Sequence, residues 1–247
     1  MRRALALALL LCVGCDEEAA SDAGATDAGP SDAGATDAGL DAGAADAGAS
    51  DGGPPGVDAG AWIPLFNGVD LTGIALHVTT EDEITIADGA ITCGTGPNGY
   101  WYTEASYEDY VLELEFRYTR PADLAPGDDA SFAGNSGYLM HIQEPHRVWP
   151  ACVEVQGMNR DVGQIFTIGG AAPVTAREDE AARAAALRPV GEWNHLRIES
   201  SGGAFRVELE GVEVADSDPG ALRRGPIGFQ CEMAEISWRD VRLMPLP

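Results

Sequence analysis

The sequence predicts an all-β domain, an antiparallel jelly-roll sandwich of two packed sheets, carried behind an export signal and a disordered linker. Three observations predict it. From Trp62 onward, apolar and polar residues alternate in short runs with the period of two that a half-buried strand requires. The runs are punctuated by Gly, Asp-Gly and Pro-Gly turns, and only one stretch, Arg177 to Leu187, has the Ala-rich composition of a helix. Some twelve short strands at close spacing with almost no helix bury their apolar faces most simply by stacking as two sheets.

In chain order, residues 1–14 open Met1-Arg2-Arg3, run apolar from Ala4 to Val13 and reach Gly14-Cys15 followed by acid. A positive start, about ten apolar residues and a small residue before the cut make an export signal, well short of the ~20 residues a spanning helix needs. The small-residue-then-Cys ending is similar to a lipoprotein lipobox and makes Cys15 the lipidated first residue of the mature chain. Cys12 stands where that box usually has Leu, and ordinary cleavage and secretion is the alternative. Residues 15–60 form the linker: from Asp16 to Gly60 there are eleven acidic residues and no basic one, in Asp-Ala-Gly units recurring every four to five residues. Such units are too small and polar to bury a core, so the segment is a self-repelling spacer. The bacterial cell envelope is the expected location, with the lipid as the sole membrane contact.

Residues 61–247 suit one domain. The whole chain carries a net charge of −25, and the domain has no Lys and no basic stripe, which argues against nucleic acid as a partner. Its three Cys, Cys93, Cys152 and Cys231, permit one disulfide in an oxidising compartment and leave one thiol; the pair is not legible from spacing.

The strands follow in order. Ile84 to Ala87 and Ala90 to Cys93 flank Asp88-Gly89, a strong hairpin signal. Tyr110 to Thr119 puts Leu112, Leu114, Phe116 and Tyr118 on one face and Glu113, Glu115 and Arg117 on the other. Ser136 to Gln143, Ala151 to Met158 and Gln164 to Ile168 come next. Trp193 to Ser200 and Ala204 to Glu210 form a hairpin through Ser201-Gly202-Gly203, and Val212 to Ala215, Ile227 to Cys231 and Glu235 to Met244 complete the set. Trp193, Trp238, Phe116 and Phe229 read as core, while Trp101 and Tyr102, following the Gly94 to Gly99 turn, either stack on a sugar or, the favoured reading, plug the sandwich.

Polar rows on these strands are where chemistry is expected. Glu154 and Gln156 share a face opposite Val153 and Val155; His141 and Gln143 share a face; Glu113, Glu115 and Arg117 make a third row, and Gln230 begins the last hairpin. Together they floor an acidic, hydrogen-bonding cleft, or else each is a plain solvated face. The segment His146-Arg147-Val148-Trp149-Pro150 joins the His141 and Glu154 strands and hangs over that cleft, where His146 and Arg147 are placed to hydrogen-bond a sugar and Trp149 either stacks on its ring or plugs the sandwich end. No phosphate loop, nucleophile elbow or His-Glu-x-x-His metal signature is present, so no cofactor or catalytic metal is indicated; a structural calcium is compatible with a sandwich.

Five segments in order, WIPLFNGVDLTG (62–73), GNSGYLMH (134–141), VEVQG (153–157), GEWNHLRI (191–198) and GPIGFQ (225–230), closing with WRDVRLMPL from Trp238, resemble the 3-keto-disaccharide hydrolase family. The resemblance implies a concanavalin- and laminin-G-like sandwich, and a hydrolase cleaving glycosides already oxidised to a ketone at carbon 3. That ketone acidifies the carbon 2 proton, so a modest base can form an enolate that expels the group on carbon 1, with water adding afterwards. The resemblance assigns Glu154 as base or acid and Gln156 as the group positioning the sugar or polarising its carbonyl. His141 stands where the family often has Arg, and is open to acid, base or neutral-donor roles. Asn135, either a plain turn residue of the NSG turn, the favoured reading, or a sugar ligand, joins Gln143, His146, Arg147, Trp149, Glu113, Arg117 and Gln230 as candidate substrate contacts. A separate oxidoreductase is the implied partner supplying the keto sugar. The competing function is a non-catalytic carbohydrate-binding or adhesion module, and a third is a structural envelope protein without a pocket.

Overall fold

The computed structural model describes residues 60–247. The signal, Cys15 and the linker up to Ala59 lie outside the described residues. Fifteen strands are present: β1 Ile63–Pro64, β2 Ile74–Val78, β3 Ile84–Ala87, β4 Ala90–Cys93, β5 Asn98–Thr103, β6 Tyr110–Tyr118, β7 Gly137–Met140, β8 Cys152–Gln156, β9 Ile165–Ile168, β10 Ala176–Glu178, β11 Asn194–Ser201, β12 Ala204–Leu209, β13 Val212–Ser217, β14 Gly228–Glu232 and β15 Ile236–Pro245. They form two antiparallel sheets. The larger has the order β10-β13-β12-β11-β6-β15-β4-β3, with β1 added to β15; the smaller runs β2-β5-β14-β7-β8-β9. The fold is the expected all-β sandwich.

The pleat sends alternate side chains to opposite faces, and those facing inward make the core. β6 shows the period directly, with Leu112, Leu114, Phe116 and Tyr118 buried and the intervening Glu113, Glu115 and Arg117 half-buried. Trp101 of β5 stacks flat on Phe229 of β14 with ring centroids 3.8 Å apart, and Trp238 of β15 meets Trp101 edge-on at 5.8 Å, joining the sheets through aromatic contact. Cys93 of β4 and Cys231 of β14 form a disulfide between the two sheets, 138 residues apart in sequence, and Cys152 is the free, buried thiol.

Three expectations are corrected. The helix is confined to α1, Glu180–Ala186, capped by the Asp179 side chain accepting from the Ala182 amide at 2.8 Å; Arg177 and Glu178 belong instead to edge strand β10. Strands β2 and β5 lie in stretches to which the sequence reading assigned no strand, β5 starting inside the Gly94 to Gly99 turn. Trp193 is not core: its ring lies on the outer face of the larger sheet between Arg117 and Arg239, with guanidinium carbons 4.5 and 4.2 Å from the ring centroid. The same face carries ion pairs such as Arg242–Glu113 at 2.7 Å.

Candidate active site

The smaller sheet buries one face and turns the other outward. On β8, Val153 and Val155 enter the core, so Cys152, Glu154 and Gln156 face out. The register aligns their neighbours: Glu154 pairs with Leu139 of β7, Leu139 with Gly228 of β14, and Gly228 with Tyr102 of β5. One step along, Gln156 pairs with Gly137, and Gln230 pairs with Tyr100, which pairs with His77. At the near end an isolated bridge joins Asn135 to Glu232.

Gly137 is where the arrangement closes. A Cβ there would lie 2.4 Å from Glu154 Oε1 and 3.0 Å from Gln230 Oε1, so the carboxyl and the carboxamide both occupy space that only a missing side chain leaves. Asn135 Nδ2 donates to Glu232 Oε2 at 2.6 Å. Gln156 Oε1 accepts from the amides of Gly157 and Met158, each at 2.8 Å, which leaves its Nε2 as the group presented outward. Two acceptors, Gln230 Oε1 and Asn135 Oδ1, are buried without a hydrogen-bond partner among the described residues. Unpaired buried acceptors are rare, and two in one cluster mark a place built for donors that arrive from elsewhere.

The two carboxyls differ in environment. Glu154 is 5% exposed, and burial, followed by the charge of Glu232, raises its pKa from the ordinary carboxylate value to about 7. Glu232 is half-buried, and burial raises it as well. The shift at Glu154 has a stability consequence. A carboxyl whose folded pKa is raised adds no penalty below its unfolded pKa near 4.5 and an increasing one as pH climbs through about 7. At 1.36 kcal/mol per unit the full penalty is on the order of 3 kcal/mol. Glu154→Gln is therefore expected to unfold at a higher temperature than the wild type at pH 8, the gap narrowing to nothing by pH 4.5, as followed by calorimetry across that range.

Beyond this group, Tyr100, Leu139, Ile142 and Cys152 form a small buried apolar cluster on the same outer face. Past it opens a cleft of about 710 Å³ whose lining includes Tyr102, Gln143, Glu144, His146 and Arg224. His146 Nδ1 meets the Tyr100 hydroxyl at 2.7 Å and its Nε2 meets Glu144 at 3.2 Å.

Of the residues expected from sequence, Glu154, Gln156, Gln230 and Asn135 come together, and Gln143 and His146 line the adjoining cleft. Arg147 and Trp149 are exposed on the loop between β7 and β8. His141 does not converge with Glu154. β7 ends at Met140, and His141 adopts a left-handed φ of 56°, which breaks the alternation and turns the ring inward onto Tyr110 and Phe205. Its two ring nitrogens meet the carbonyls of Leu222 and Glu108 at 3.2 and 3.1 Å, it is fully buried, and burial lowers its pKa. Glu113 and Arg117 are likewise elsewhere, on the outer face of the larger sheet, because alternation fixes a residue's face and not its sheet. Sequence reading missed Glu232, Tyr100 and His77, and offered Tyr102 only as a weaker stacking candidate beside Trp101, which is core. Glu232 was within reach, since Gln230 and Glu232 alternate with Phe229 and Cys231 just as Glu154 and Gln156 alternate with the valines.

The model of the 3-keto-alpha-glucoside-1,2-lyase-like domain matches residues 61–244. The chain belongs to that family. Among solved structures, two named as candidate glycosyl hydrolases of Parabacteroides distasonis superpose with TM-scores of 0.55 and 0.54 at 20% and 19% identity. Each match covers 75% of this chain, and 100% and 94% of the other. A Bacillus subtilis protein with a galectin-like fold superposes at a TM-score of 0.52 and 10% identity, over 74% of this chain and 94% of its own. At such identities these structures speak for the sandwich fold. No curated protein matches at a significant level. Family membership rests on nearly the whole folded part and therefore includes the segments carrying Asn135, Glu154, Gln156, Gln230 and Glu232. Among the described residues, no three His, Cys, Asp or Glu side chains converge as a metal-ligand set.

Proposed function

We propose that the protein cleaves 3-keto-α-glucosides by elimination followed by hydration, with Glu232 as base and Glu154 as acid. The observation that carries this reading is a pair of carboxyls of unequal burial, Glu154 buried and Glu232 half-buried, on one face with two carboxamides, in a member of a 3-keto-alpha-glucoside-1,2-lyase-like family. In such a pair the group of higher pKa holds the proton and the other accepts one. Glu232, accepting from Asn135 Nδ2, is favoured as carboxylate. Glu154, the more deeply buried of the two and packed with Gln230 over Gly137, is favoured as acid.

Glu232 takes the proton from carbon 2, and the electron pair of that C–H bond moves into an enolate on the carbon 3 ketone. The Gln156 Nε2, held outward by its backbone-bound oxygen, donates to the developing enolate oxygen. Collapse of the enolate forms the double bond between carbons 1 and 2 and breaks the bond from carbon 1 to the glycosidic oxygen, which takes the proton of Glu154 and departs as an alcohol. Water then adds, hydroxyl to carbon 1 and proton to carbon 2, and the 3-keto sugar is released. Neither step is the direct displacement of two-carboxylate glycosidases, so carboxylate separation has no stereochemical meaning here.

The reading predicts a bell-shaped pH dependence of kcat/KM. Activity falls on the alkaline side through about 7 as Glu154 loses its proton, and on the acid side through a pKa raised above the ordinary carboxylate value as Glu232 gains one. Sugar release from a 3-keto disaccharide and from its unoxidised parent, followed across pH, tests it. Release from the keto form alone with this bell supports the reading; equal release from both, or activity flat through pH 7, contradicts it.

The protein is proposed to work outside the cytoplasm, cut after Gly14 and anchored through Cys15. The Cys93–Cys231 disulfide supports that location, since such bonds persist where thiols are not kept reduced. A separate oxidoreductase supplies the ketone.

A further inference from the structure

We infer that the 710 Å³ cleft beyond Tyr102 is a distal subsite for an unoxidised, uncharged sugar ring, so that the substrate is an oligosaccharide longer than a disaccharide. The inference rests on the proposed reaction for the word substrate, and on the cleft alone for the sugar.

Its position comes from the register. Glu154, Leu139, Gly228 and Tyr102 form one row across four neighbouring strands. Three steps of roughly 4.8 Å put Tyr102 roughly 14 Å from Glu154 along the sheet. The apolar cluster of Tyr100, Leu139 and Ile142 fills the interval. A ring bound at Tyr102 is thus not the ring that reacts.

Its chemistry comes from the lining. Tyr102 and His146 lie with ring centroids 4.4 Å apart and planes tilted by 32°, a partly exposed aromatic surface of the kind that receives the apolar face of a pyranose. His146 is fixed there by Tyr100 and Glu144. Gln143 Nε2 is committed to the carbonyls of His141 and Arg224, at 2.8 and 2.9 Å, so its Oε1 is the acceptor left to a ligand. Arg224 brings donors, and Glu104 and Glu144 bring acceptors. Two carboxylates against one guanidinium disfavour an anion, while donors and acceptors of both kinds beside an aromatic face suit neutral hydroxyls. The volume is within the usual range for small-molecule sites.

The test is calorimetric titration of unoxidised maltotetraose into the full-length protein as wild type, Glu154→Gln, Tyr102→Ala and Arg224→Ala. The expected result is binding by wild type and Glu154→Gln alike, weakened tenfold or more in Tyr102→Ala and Arg224→Ala. Arg224 is exposed, so its variant keeps the test valid if Tyr102→Ala fails to fold. Absence of binding by the wild type overturns the inference, and so does binding that is lost in Glu154→Gln but kept in Arg224→Ala. Turnover of a 3-keto glycoside is read separately, so failure of the reaction leaves the titration result intact.

Discussion

Glu154→Gln is expected to lower the turnover of a 3-keto disaccharide by about 10²–10⁴-fold, the range general acid catalysis usually supplies. The same variant is expected to keep most of its activity on a 3-keto glucoside with a 4-nitrophenyl leaving group. A sugar alkoxide is a poor leaving group and needs the proton; a nitrophenolate is stable without it. Glu232→Gln removes the base and is expected to fail on both substrates. Comparing kcat/KM for the two substrates across the two variants therefore separates the roles. Equal losses on both substrates in Glu154→Gln would assign Glu154 to deprotonation and reverse the proposed pair. Gln is nearly isosteric with Glu, and the variant is expected to be the more stable protein near pH 8, so lost activity is not attributable to unfolding.

Removal of the inter-sheet disulfide is the second large effect. Cys93 and Cys231 lie 138 residues apart, and both are fully buried. In the chain-entropy account a crosslink closing a loop of that order restricts the unfolded chain by about 5 kcal/mol, the upper part of the usual range. Cys93→Ala with Cys231→Ala is expected to lower Tm by roughly 10–20 °C, taking about 2–4 °C per kcal/mol for a domain of this size. Both residues face the core, away from Glu154, so the pH profile of the folded variant is expected to match the wild type. A drop of only a degree or two on differential scanning calorimetry would mean that the aromatic contacts of Trp101, Phe229 and Trp238 hold the sheets together without it.

These expectations depend on side chains whose legibility in sequence differed for physical reasons. The β6 and β8 strands were readable because one face of each is apolar and the other polar, so period two shows through. β5 was not, because Tyr100, Trp101 and Tyr102 are all large aromatics: Trp101 enters the core while Tyr100 and Tyr102 pack outside the sheet against Leu139, Ile142 and His146. With both faces covered, alternation disappears. That strand carries Tyr102 to the cleft and Tyr100 to the buried cluster beside it, so leaving the strand unassigned also hid where both tyrosines sit.

Face and sheet are also different questions. Glu113 and Arg117 alternate on β6 as cleanly as Glu154 and Gln156 do on β8, yet the first pair meets Arg242 and Trp193 on the larger sheet. Sheet membership is set by pairings between strands far apart in sequence, such as β5 with β14 and β6 with β15, which local patterning does not encode. His141 failed for a local reason, a left-handed residue ending a strand, at a position where His is neither Gly nor Asn and gives no warning. Glu154, Gln156 and Gln230 were legible because alternation and family motifs agreed on them.

The central claim is that the glycosidic bond breaks by elimination through carbon 2. The measurement that tests it most directly is turnover of a 3-keto disaccharide in deuterium oxide, with the released 3-keto sugar examined by mass spectrometry and NMR against an enzyme-free control for exchange. Elimination and hydration predict one deuterium at carbon 2 in every product molecule, gained at the rate of bond cleavage. Product released with its carbon 2 hydrogen intact would show direct displacement at carbon 1 and contradict the account.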